Sequence, residues 1–78
     1  MGIFERSGPM PNKIYKHIEL TGTSSTSIED AIQSALVRAS KTVRNIRWME
    51  VIETRGQVEE GKVVQWQVTL KAGFALEE

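Results

Sequence analysis

The chain has no cysteine, which excludes disulfide staples, thiolate metal sites and a cysteine nucleophile. It has one histidine, His17, and no carboxylates clustered at ligand spacing, so a structural zinc has nothing to hold it. Charge of one sign is missing too. Ten lysines and arginines balance ten aspartates and glutamates, which leaves no basic excess to attract a phosphate backbone. No apolar run approaches the roughly 20 residues that span a bilayer, and the N-terminus lacks the apolar stretch of a secretory signal. The expectation is a soluble, cytoplasmic protein. At 78 residues it forms one domain, which buries only about 60% of the surface its unfolded chain exposes. A lone core of this size rarely supplies more than about 3–5 kcal/mol. With disulfides and metal set aside, association with other chains is what remains.

The residues that are present fall into a simple order. Residues 1–11 show no periodicity, and Gly8, Pro9 and Pro11 bracket a second methionine, Met10. They read as an extension outside the fold: an alternative start, a leftover of cloning or a flexible arm. From Lys13 the pattern alternates, with Ile14, Lys16, Ile18 and Leu20 on one side and Tyr15, His17 and Glu19 on the other, as in a half-buried strand. Thr21 to Ser27 supply turn residues and two competing helix caps, Thr26 with Glu29 and Ser27 with Asp30. Ile28, Ala31, Ile32, Ala35, Leu36, Ala39 and Val43 then recur at spacings of three and four, which predicts an amphipathic helix ending near Asn45. A second strand follows from Ile46 to about Arg55, with Gly56 as its end or a bulge. In the third, Val64, Trp66, Val68, Leu70, Ala72, Phe74 and Leu76 form a core face opposite Gln65, Gln67, Thr69, Lys71 and Gly73. Glu59 to Lys62 make the turn of an antiparallel hairpin. The predicted fold is α+β, in the order β-α-β-β, with one helix on one face of a three-stranded antiparallel sheet.

One helix covers one face, yet the second strand is apolar on both. If Met49 and Val51 join the core, then Ile46, Trp48, Glu50 and Ile52 share the outer face with Gln65 and Gln67, and an indole lies beside a carboxamide where the monomer has no cover. Trp66, central in the apolar face of its strand, is assigned to the core. Trp48 has polar neighbours, Arg47 and Glu50, and an aromatic with a polar rim suits a flat, conjugated ligand. Taken singly, Gln67 reads as a solvated strand residue and His17 as an exposed or interface one. Glu53 and Arg55 read as a surface ion pair of little energetic value, although the planar fork of Arg55 at a strand end also suits phosphate.

Five stretches agree in order and spacing with one family. KIYKHIELTGTS from Lys13, SIEDAIQ from Ser27, Trp48-Met-Glu-Val51, Glu53-Thr-Arg-Gly56 and QVTLKAGF from Gln67 together resemble the dodecins, small flavin-binding proteins that assemble as hollow dodecamers. The resemblance covers Lys13 to Glu77 and sets residues 12–78 as a dodecin-like domain. It implies a tryptophan, here Trp48, stacked on an isoalloxazine ring, with paired rings held between symmetry-related tryptophans. It implies further that Gln67 hydrogen-bonds the pyrimidine edge, where a carboxamide offers both donor and acceptor, that Glu53 reaches ribityl hydroxyls, and that Arg55 lies near the flavin and favours FMN. Riboflavin and FAD are the other flavins it allows, and coenzyme A stays open as a second ligand of the shell. Many bacterial relatives have an acidic residue before the tryptophan and an aromatic after it. Here Arg47 adds a phosphate or carboxylate contact or alters the rim, and Met49 replaces the aromatic with a more adaptable side chain.

The expected function is therefore non-catalytic: a homododecamer that stores or buffers FMN or riboflavin and quenches its excited state by electron transfer from the indole. No nucleophile stands beside a base, and there are no paired carboxylates. A flavin-dependent oxidoreductase is the rival, disfavoured because rings stacked on both faces, as the resemblance implies, leave little room for hydride transfer from a second substrate. A structural or ion-binding assembly without native flavin is the third reading.

Overall fold

A computed structural model describes residues 12–76 of the chain; the expected extension, residues 1–11, lies outside them. The elements run β1 (Tyr15–Ser24), α1 (Ile28–Ala39), β2 (Ile46–Glu59) and β3 (Lys62–Ala75). The sheet has the order β1-β3-β2, and both pairings are antiparallel. This is the expected β-α-β-β arrangement with one helix.

β1 runs further than its composition suggests, because Thr21 to Ser24, expected in the turn, remain paired with β3. Gly22 is there for space. A Cβ on it would overlap the Ala31 carbonyl oxygen and come within 2.9 Å of the Ala35 Cβ. Glycine opposite alanines thus lets helix and strand approach closely. Ser24 closes the strand: its hydroxyl donates to Asp30 Oδ2 at 2.7 Å and accepts from the Thr26 amide at 2.9 Å. Of the two competing caps the chain uses Ser27, whose Oγ accepts from the Asp30 amide at 3.0 Å. That bond satisfies one of the amides a helix start leaves unpaired.

The helix ends at Ala39, a turn and a half before the expected Asn45. The amides of Thr42 and Val43 both fold back on the Ala39 carbonyl, so β-branched residues that continue the apolar spacing sit in a terminal turn. Asn45 then takes a φ of 65°, a left-handed conformation that asparagine tolerates better than most residues, and the chain turns into β2.

Val68, Leu70 and Ala72 of β3 pack on Ala31 and Ala35 and form the core, with Ile18, Leu20, Ile28, Ile32, Leu36 and Ile46 around it. The helix packs on β1 and β3. β2 lies beyond it, so Met49 and Val51, although opposite Ala72 and Leu70 on the inner face, remain about 40% exposed.

β2 extends to Glu59, past its expected end, and Gly56 is neither a terminus nor a bulge: it pairs with Trp66. A Cβ at Gly56 would touch the Trp66 ring at 3.6 Å. Trp66 therefore lies over a glycine in the far part of the hairpin. It is part-buried and outside the helix-covered core in which the sequence pattern places it. Glu60 and Gly61 close the hairpin with φ of 53° and 78°, the two positive values of a type I′ turn.

Candidate functional site

The true bulges of β2 decide what its outer face carries. Between the pairs Ile46–Phe74 and Trp48–Gly73, Arg47 has no partner, and between Val51–Leu70 and Glu53–Thr69, Ile52 has none. An extra residue in one strand reverses the facing of everything beyond it relative to strict alternation. The first bulge puts Ile46 on the inner face, packed on the core, and Trp48 on the outer one. That corrects the expectation that Ile46 shares a face with Trp48. At the second, Ile52 is the bulged residue rather than a regular member of the outer row. Strict alternation carried on from Trp48 would turn Glu53 and Arg55 inward. Instead they stand opposite Thr69 and Gln67, on the same face as Trp48.

The indole of Trp48 lies directly on β3. A Cβ at Gly73 would overlap its Cδ2, Cε2 and Cζ2 atoms, so the ring occupies space that any other residue would fill. Tyr15 meets it at 6.2 Å between centroids in an edge arrangement, and His17 at 6.4 Å with a 33° tilt. Trp48 nevertheless keeps 38% of its surface exposed, a large value for a ring with three neighbours.

Glu53, Arg55 and Gln67 form a second group. Arg55 pairs with Glu53 at 3.5 Å, both about half exposed, and an ion pair so solvated adds little stability. Gln67 stands opposite Arg55 and donates from Nε2 to Gln65 Oε1 at 3.1 Å. Thr21 and Thr69 share a hydroxyl hydrogen bond of 2.8 Å beside Glu53. The row Glu19, Lys71 and Glu50 separates this group from Trp48.

The structure thus brings Arg47 next to Trp48, and Glu53 and Arg55 next to Gln67, but holds the two groups apart. Gly73 and Gln67 are six positions apart along β3, roughly 20 Å at about 3.3 Å per residue. The carboxamide is not beside the indole of its own chain, contrary to the sequence expectation. Faces can be read from alternation, but distance along a strand depends on register. The sequence reading leaves Tyr15 and His17 out of the site; their signal is membership of the outer face of β1, which acquires meaning once Gly73 is known to lie between His17 and Trp48, with Tyr15 opposite Ala75 one outer position along.

Two shallow concavities lie elsewhere. One, of about 290 Å³, is lined by Gln33, Val37, Arg38 and Lys41 on the outer side of α1, and the other, of about 430 Å³, lies between residues 42–45 and 74–76. Among the described residues no group of three or more His, Cys, Asp or Glu could hold a metal ion, and no helix is long and apolar enough to cross a membrane.

A dodecin family model matches residues 14–77. The chain is 53% identical over 66 residues to the dodecin of Thermus thermophilus, covering 85% of this chain and 96% of that one. It is 35% identical over 63 residues to the calcium dodecin of Mycobacterium tuberculosis, covering 81% and 89%. The solved dodecin of Streptomyces coelicolor superposes with a TM-score of 0.82 at 48% identity, covering 88% of this chain and 99% of that one. The helix-backed sheet that carries Trp48 over Gly73 is thus a shared fold, and the chain belongs to the dodecin family.

Proposed function

We propose that the protein is a non-catalytic flavin binder that stores or buffers FMN or riboflavin as a homododecamer. The observation that carries this reading is the Trp48 indole, laid flat on Gly73 on the sheet face away from the helix and still 38% exposed. A large ring held in place with a free face suits stacking on a planar conjugated ligand. Gln67 supplies a donor and an acceptor for the ligand's polar edge. Since Gln67 lies roughly 20 Å from Trp48 along its own strand, one ring meets both only when they come from different subunits, and the site belongs to the assembly. Glu53 serves ribityl hydroxyls, while Arg55 and Arg47 serve a terminal phosphate. Coenzyme A is a second candidate ligand for those arginines.

The test is a fluorescence titration of the apo-protein with FMN and, separately, riboflavin, on the size-exclusion fraction whose mass is fixed by light scattering. Strong quenching at one flavin per chain in a dodecamer-sized peak is expected. A dodecamer that leaves flavin fluorescence unchanged would sink the storage role.

The calcium dodecin among the relatives favours a second reading, an ion-binding assembly. Its mark would be heat on calorimetric titration with calcium in a preparation that does not take up flavin.

A further inference from the structure

Across the sheet, His17, Gly73 and Trp48 form one row: Gly73 is the register partner of His17 on β1 and of Trp48 on β2. Adjacent strands lie about 4.8 Å apart, so side chains on the two outer strands normally stand separated by the side chain between them. Here that side chain is absent. The indole fills the space above Gly73, and its centroid comes to 6.4 Å from the imidazole, with the planes only 33° apart. That separation is too long for one ring to cover the other, and Trp48 stays 38% exposed. The imidazole therefore extends the indole sideways. Tyr15, by contrast, meets the indole at 65° and forms a rim.

We propose that His17 is a specificity-determining residue of the ligand site: its imidazole continues the Trp48 indole into one platform and carries the part of a flat ring system that overhangs the indole. This rests on the stacking reading above. A tricyclic ring is longer than an indole and needs such a continuation, whereas a bicyclic ring does not. Gly73 is the positioning residue that brings the two rings together.

The experiment compares affinities of the assembled protein for two probes, riboflavin, with its three-ring system, and lumazine, with two rings, in the unchanged chain, His17→Ala, His17→Phe and Trp48→Ala. Riboflavin affinity should fall several-fold and up to about tenfold in His17→Ala, recover in His17→Phe, and leave lumazine affinity unaltered in both. Equal losses for the two probes in His17→Ala would overturn the proposal, because His17 would then act only by propping the indole. Riboflavin affinity unchanged in His17→Ala while Trp48→Ala abolishes binding would overturn it too and leave Trp48 standing. Unchanged binding in Trp48→Ala would instead remove the stacking reading itself. His17 is exposed in the single chain and outside its core, so the variants should fold, and light scattering checks that they assemble.

Discussion

Trp48 rests on Gly73 because nothing projects from that position of β3, and the orientation of the ring depends on one hydrogen not being a methyl. Trp48 is at the surface and can swing outward, so Gly73→Ala should leave the fold intact at a cost within the usual 1–3 kcal/mol of overpacking. It should also free the indole. In a Trp66→Phe background, where Trp48 is the remaining tryptophan, its emission should shift to the red; unchanged emission would mean the ring does not lie on Gly73. Trp48→Ala should abolish tight flavin binding and leave the assembly's mass unchanged by light scattering, whereas flavin affinity equal to that of the unchanged chain would exclude stacking. Gln67→Ala should weaken flavin binding by about 1–2 kcal/mol, and an effect within titration error would take Gln67 out of the site.

At the scale of elements, the helix, the three strands and the hairpin turn were legible in the sequence because their apolar spacing is regular. The core face of β3 was read correctly at Val68, Leu70 and Ala72. Reading failed where one residue type serves two purposes. Gly22 resembled a turn glycine but makes room for Ala31, and Gly56 resembled a strand end but lies beneath Trp66. It failed again at Arg47 and Ile52, since a bulge leaves no mark in a pattern of alternating polarity. The second bulge offers a direct check. With Ile52 deleted, Val51 and Glu53 keep their present partners in a regular ladder, so Glu53 and Arg55 still face outward. With Thr54 deleted instead, the ladder closes only if Glu53 turns inward and Ile52 outward. FMN binding should therefore survive the first deletion better than the second. The reverse order in calorimetric titration would contradict the register.

For the whole molecule, the separation of Trp48 from Gln67 means that, on the proposed reading, one flavin ring meets both residues only when they come from different subunits. Co-refolding Trp48→Ala chains with Gln67→Ala chains should create sites that draw an intact tryptophan from one chain and an intact glutamine from another. Such mixtures should show a fraction of high-affinity flavin sites that neither variant has by itself. A mixture that titrates as the plain average of its components would mean that each site uses both residues of one chain.

The bulges of β2 have a further effect at its free edge. Among the described residues β2 has a neighbour on one side only, and a long, flat strand in that position is a template to which further strands can add without limit. Arg47 and Ile52 break the even spacing of its outward-pointing amides and carbonyls and increase its twist. Growth along the edge is thereby discouraged, and contact between copies is left to the faces. Faces, unlike edges, are used up once covered. The irregularities that turn Glu53 and Arg55 outward thus also favour an assembly that closes on itself over a fibre that does not.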